Sequence, residues 1–162
     1  MPLQREPMTK PCVIAAIVDG PLARESEAAV LAAHGWIAAR DAVGSAAPGI
    51  VGAAVRFEGI VRRAEPREDS AGREHDLLAL DYQTYDPMAE RELRALACVV
   101  AERHGLTALA ALHSRGRVGV GEVSFVLIVE SPHRAEALAA MADFIDRLKQ
   151  DVPIWKRPVW AG

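Results

Sequence analysis

The sequence predicts an α+β fold, with helices packed on one face of a mostly antiparallel sheet. Three observations carry that expectation. Residues 77–85, LLALDYQTY, alternate Leu78, Leu80, Tyr82 and Thr84 against Ala79, Asp81 and Gln83, the two-residue period of a half-buried strand. Two other stretches, near 93–100 and 137–148, repeat apolar residues every three to four positions, the period of a helix with one buried side. Strand and helix patterns then follow one another in mixed order along a chain without internal repeats.

Residues 12–18, CVIAAIV, read as a first strand ending in Asp-Gly-Pro. After Pro21, LARESEAAVLAAHG reads as a short helix closed by Gly35, because glycine accepts the left-handed conformation that ends helices. A Gly/Ala/Pro-rich link at 42–49, AVGSAAPG, leads into a strand near 51–61. Residues 62–75, RRAEPREDSAGREH, are charged and carry no apolar period, so a mobile surface loop is expected. Beyond the strand at 77–85, Asp86 is expected as a helix N-cap with Pro87 at the first helical position. Leu93, Leu96, Ala97 and Val100 form that helix's buried stripe, and Gly105 its stop. Two strands follow, about 107–114 and then 118–130, the second bent or turned at Gly119 and Gly121. Ser131-Pro132 opens the last helix, which runs to about Gln150, and Pro153 excludes much further helix.

A length of 162 residues fits one domain, 1–162, with a core of its own. A hydrophobic content of 51% with 25% charged residues is ordinary for a soluble globular chain. No apolar run reaches the ~18 residues of a transmembrane helix. The charged N-terminus carries only a short apolar run, read as a strand and not a signal peptide, so the expected location is cytoplasmic. A net charge of −3 offers no general affinity for nucleic acid or acidic membranes, and 5% aromatic content shows no stacking stripe. Cys12 and Cys98 lie far apart without metal-ligand spacing, so both are read as small apolar residues and no metal is expected.

Of 19 basic residues only Lys10, Lys149 and Lys156 are lysines, and the last two fall seven residues apart in DRLKQDVPIWKRPVW, 146–160. Arginine stays charged at any accessible pH, whereas a desolvated lysine can lose its proton and act as base or nucleophile. On the last helix, Ala137, Leu138, Met141, Phe144, Ile145 and Leu148 follow core-facing spacing, and Lys149 sits at the edge of that stripe. Apolar neighbours there would half-shield the amine and favour its neutral form, and Lys156 and Arg157 would add like-charge repulsion. The same position also suits a cation that simply satisfies the helix C-terminus.

At the other end Ser131 is expected to cap the helix, with His133 and Arg134 in its first turn. Free backbone N–H groups, a guanidinium and an imidazole together suit a phosphate or carboxylate, unless both side chains are merely solvated. From His133 to Lys149 is 16 residues, roughly 24 Å along a helix, more than a small substrate spans. If both ends serve one reaction they meet across a symmetric dimer; otherwise they are unrelated sites. Arg62 follows a strand end at Gly59, where side chains commonly line clefts. HSRGRVGVGE adds His113, Arg115 and Arg117 but lacks the spacing of a nucleotide-binding loop.

Taken together, GAAVRFEGIVR (52–62), LDYQTYDPMAE (80–90), HSRGRVGVGE (113–122), ESPHRAEAL (130–138) and LKQDVPIWKR (148–157) resemble the large, catalytic subunit family of molybdopterin synthase. The motifs cover about 50–157 in the family's order, and the pairing of Ser-x-His-Arg with Lys-x-x-x-Pro-x-Trp-Lys is specific. The resemblance implies an α/β-hammerhead-type fold and a homodimer. A small ubiquitin-like sulfur-carrier subunit at each end would complete a heterotetramer. It further implies a sulfurtransferase of molybdenum cofactor biosynthesis. The carrier's C-terminal Gly-Gly thiocarboxylate would give sulfur twice to cyclic pyranopterin monophosphate, forming the molybdopterin dithiolene, with no metal, thiol or cofactor of this subunit's own. By motif, Lys149 and Lys156 would be the catalytic lysines. Arg62 would line the pocket with Arg157 nearby as a substrate-binding residue, and His133 with Arg134 would hold the substrate's phosphate from the neighbouring protomer. The chain departs from the family at Pro158, where an acidic residue is usual, and in ending at Gly162. Two other readings stand beside this one: a weakly active or inactive paralogue that still binds its carrier, and an anion-binding regulatory module built on His133 and Arg134.

Overall fold

The structure, a computed structural model, describes residues 10–42, 48–68 and 71–162. Most of the expected link at 42–49 and part of the expected loop at 62–75 lie outside the described residues. The elements are β1 (Cys12–Asp19), α1 (Arg24–Ala33), α2 (Trp36–Ala42), β2 (Ala53–Ile60), β3 (Ala64–Pro66) and β4 (Glu74–Thr84), followed by α3 (Met88–Arg103), β5 (Ala108–Gly119), β6 (Val123–Ser131), α4 (Arg134–Asp151) and β7 (Ile154–Trp160). The strands join in the order β2-β6-β5-β4-β3, with β1 beside β5 and β7 beside β4. Among the described residues only the β1–β5 pair is parallel, so the α+β, mostly antiparallel architecture is present as expected.

β5 changes partners midway. It pairs with β6 up to His113 and with β1 up to Arg115; from Gly116 to Gly119 it pairs with β4. Gly116 adopts φ +82 at the changeover, a conformation that a side chain would make costly. The sheet therefore divides into two wings. One holds β2, β6, β1 and the first half of β5; the other holds β4, β7, β3 and the second half.

Helices cover both faces of the first wing, not one as the sequence suggested. Ala15, Leu109, Ala111, Leu127 and Val129 pack with Leu93, Ala97 and Val100 of α3 and Phe144 of α4. Cys12, Ile14, Ala108 and Ala110 turn the other way, onto Trp36 of α2, while Ala16, Leu112 and Val126 meet Leu22. The physical reason is visible in CVIAAIV and ALAAL: consecutive apolar residues point to both faces, so both need cover.

Other expectations are corrected as well. The described residues of 62–75 depart from the expected mobile loop, because Ala64–Pro66 pairs antiparallel with Glu74–Asp76 as a charged edge strand. Residues 36–42 and 154–160, unassigned from sequence, form α2 and β7. β5 continues to Gly119, and the turn falls at 120–122 with Gly121 at φ +83. Pro87 is the N-cap of α3; the Asp86 carboxylate instead accepts from the Thr84 hydroxyl at 2.9 Å and from the Arg115 guanidinium. His133 is the N-cap of α4, and Ser131 ends β6 with its Oγ accepting the His133 N–H at 3.4 Å. Leu78 is exposed because it lies at the irregularity in the β4–β7 ladder. Leu138 is exposed because Ala140 takes the inward place on α4. Among the described residues no helix is long and apolar enough to cross a membrane.

Candidate active site

A cavity of about 400 Å³ opens where the two wings and the C-terminal end of α4 meet. Its apolar wall comes from Phe57 of β2, Phe125 of β6, Leu80 of β4, Ile154 of β7, and Ile145 and Leu148 of α4. Gly59 stands where β2 slips against β6, and a Cβ there would lie 3.1 Å from the Phe125 side chain. The glycine thus lets the two strands close on the cavity without a steric conflict.

The polar groups arrive from α4, β7, β3 and the segment between β2 and β3. Lys149 belongs to the last turn of α4 and is exposed, without the half-shielding expected for it. Lys156 comes from β7, paired in register with Tyr82 of β4. Arg62 follows β2, and Glu65 lies on β3. Among them runs an ion-pair chain: Arg62 donates to one Glu65 oxygen at 3.1 Å, and Lys156 to the other at 3.0 Å. Burial pushes the Glu65 carboxyl up, but the bonds from Lys156 and Arg62 outweigh it and hold it below the usual carboxylate range. Among the described residues Lys149 has no such partner.

The floor is neutral and hydrogen-bonded. His113 is buried, edge-on to Tyr82 and tilted against Phe125, with its Nδ1–H donating to the Ser114 carbonyl at 2.8 Å. Burial lowers its pKa, so the ring is the uncharged Nδ1–H tautomer and Nε2 is the acceptor. The Tyr82 hydroxyl donates to Ser124 at 3.0 Å and Ser124 to the Gly59 carbonyl at 3.2 Å. Burial raises the Tyr82 phenol above its ordinary value.

Of the residues expected from sequence, Arg62, Lys149 and Lys156 line this cavity together. Arg157 is not among its lining; the two-residue alternation of β7 turns it away from Lys156, into register with Asp81. His133 and Arg134 are exposed at the opposite end of α4, so one chain does not bring them to the lysines. Sequence reasoning missed Glu65, Tyr82 and Ser124 as site residues and weighed His113 without choosing it. Glu65 was hidden in the charged run, where only strand pairing distinguishes it from its neighbours. Tyr82 carried a usable signal, being an inward position of an alternating strand.

The arrangement can bind an anion, since three cations, Arg62, Lys149 and Lys156, outnumber the single carboxylate of Glu65 around an apolar cavity. It also sets two amines beside an apolar wall, where one can stabilise an oxyanion and the other exchange a proton. Among the described residues no three His, Cys, Asp or Glu side chains cluster as metal ligands. Cys12 and Cys98 are free thiols, Cys12 buried and Cys98 half-buried, both away from the cavity.

Comparison with known proteins places this geometry. The molybdopterin synthase catalytic subunit of Homo sapiens is 38% identical over 84 residues, 52% of this chain and 45% of that protein. That of Staphylococcus carnosus is 37% identical over 81 residues, 50% of this chain and 54% of that protein. The chain thus spans about half the length of these two relatives. That of Bacillus subtilis is 32% identical over 117 residues, 65% of this chain and 74% of that protein. Among solved structures, molybdopterin synthase from Staphylococcus aureus superposes with a TM-score of 0.66 at 28% identity, covering 91% of each chain. The model of the family described as MoaE protein matches residues 30–151, which take in β2 to α4 and both Arg62 and Lys149. By that match over most of its length, the chain belongs to the MoaE protein family.

Proposed function

We propose that this chain is the catalytic subunit of a molybdopterin synthase, a sulfurtransferase of molybdenum cofactor biosynthesis. The observation that carries the reading is the convergence of Arg62, Lys149 and Lys156 on one cavity, in a member of this family. The incoming sulfur donor is the C-terminal Gly-Gly thiocarboxylate of a small ubiquitin-like carrier, and the acceptor is cyclic pyranopterin monophosphate. One amine neutralises the thiocarboxylate and developing oxyanions; the other exchanges protons as the substrate ring opens and water leaves. Two sulfur transfers give the dithiolene.

The far end of α4 enters through symmetry. His133 and Arg134, roughly 24 Å from Lys149 by helix rise, would hold the substrate's phosphate in the site of a second copy, making the enzyme a homodimer. With a carrier at each end the assembly is a heterotetramer. Arg157 is exposed on β7 and does not line this cavity. Free Cys12 and Cys98 agree with a cytoplasmic setting.

The test mixes the purified chain with thiocarboxylated carrier and cyclic pyranopterin monophosphate, and assays the oxidised fluorescent derivative of molybdopterin. Wild type is expected to form product. Lys149→Ala and Lys156→Ala, both at exposed positions, are expected to lose at least about 100-fold in rate while melting within a few degrees of wild type. Product formation undiminished in both variants would overturn the reading.

A further inference from the structure

We propose that Glu65 is a positioning residue of this site, a fixed counter-ion that holds Lys156 and Arg62 where the reaction needs them. The inference rests on reading the cavity as the sulfur-transfer site, and it adds a residue on which that reading made no demand.

The geometry is that of a bridge. Glu65 divides its two oxygens, Oε1 to Arg62 at 3.1 Å and Oε2 to Lys156 at 3.0 Å. Its own side chain is only 14% exposed, whereas those of Lys156 and Arg62 are 52% and 65% exposed. The carboxylate is therefore the anchored member and the cations are the members being held. Lysine in particular carries a flexible four-carbon stem, and without a tether its amine would sample many rotamers across an open cavity.

The backbone anchors the pair to a common support. Glu65 pairs with His75 and Lys156 with Tyr82, both on β4, so the two side chains reach each other from strands fixed to the same neighbour. The pair also stands at a boundary, lining both the main cavity and an adjoining one of about 540 Å³ bordered by Pro158 and Trp160. A simple surface ion pair has neither feature. With Arg62, Lys149 and Lys156 against one carboxylate, the site keeps an excess of positive charge, so Glu65 does not cancel its attraction for anions.

The test compares wild type with Glu65→Gln and Glu65→Asp in the complete assay, with carrier and pterin substrate varied separately. Glu65→Gln keeps the shape and removes the charge. The expected result is a kcat about tenfold lower, because a misplaced amine costs rate, with KM for both anionic substrates unchanged or reduced. Glu65→Asp is expected to recover part of kcat. A second readout does not depend on turnover: the rate of labelling by an amine-reactive reagent at Lys156, with Lys149 as internal reference. Cleavage before Asp146 and Asp151 puts the two lysines on separate peptides. In Glu65→Gln the Lys156 to Lys149 labelling ratio is expected to rise about two- to fivefold, as loss of a partly exposed ion pair allows.

A wild-type kcat in Glu65→Gln would overturn the proposal. So would a fall in kcat that follows a loss of melting temperature while the labelling ratio stays at its wild-type value, since that is a purely structural role. If wild type itself makes no product but the labelling ratio rises, Glu65 holds Lys156 as described and the failure belongs to the sulfur-transfer reading.

Discussion

His113 is the clearest case of a side chain whose behaviour follows from its surroundings. It is 7% exposed, committed through Nδ1 to the Ser114 carbonyl, and enclosed by Tyr82 and Phe125. Burial holds its folded pKa below the ordinary histidine value of 6.5. The unfolded chain therefore binds a proton near pH 6.5 that the folded chain refuses. Stability is intact above that pH and declines as pH falls toward the folded value. The expected outcome is a melting temperature that drops between pH 7 and pH 5.5, with the drop flattened in His113→Gln. Glu65 and Asp143 act in a lower window. His104 and Arg103 hold Asp143 below its ordinary 3.8, and Glu65 sits below 4.5, so their contributions are lost only as pH falls through those depressed values. Residues of the site differed in legibility for a related reason. Lys149 and Lys156 stood out because lysine is scarce in this chain, while Glu65 looked like any other member of a charged run until β3 and β4 set its register.

Elements were legible where periodicity was long. The stripe Leu93, Leu96, Ala97, Val100 is buried as its spacing required, and Gly35 and Gly105 end their helices at φ +66 and +60. β3 and β7 were not legible, because an edge strand of three residues and one largely exposed strand carry no two-residue apolar signal. Among the described residues β7 pairs only with β4, and an edge strand of this kind tolerates the missing N–H of Pro158. The junction that launches α4 is more demanding. Gly52 donates its N–H to the Ser131 carbonyl, and a Cβ at Gly52 would lie 2.1 Å from the Pro132 carbonyl oxygen. Backbone must shift to admit a methyl group there. Gly52→Ala is therefore expected to destabilise the fold by about 1–3 kcal/mol, read by denaturant unfolding, whereas the same change at Gly162, with open space around it, is expected to be neutral.

At the scale of the whole molecule, the two wings of the sheet and the end of α4 make one cavity holding Arg62, Lys149, Lys156 and Glu65. The same helix carries His133 and Arg134 at its far end, beyond the reach of any small substrate in that cavity. We propose that two copies of the chain complete one another's sites. The most direct measurement mixes two inactive proteins under conditions that exchange protomers: Lys149→Ala, and the double variant His133→Ala with Arg134→Ala. In a mixed dimer one site receives both lesions and the other receives none. Half the dimers are then mixed with one intact site each, so activity should return to about a quarter of wild type. If mixed dimers form, as native mass spectrometry would show, and the mixture stays as inactive as its components, the lysines and the His133–Arg134 end do not share a site and the account is wrong.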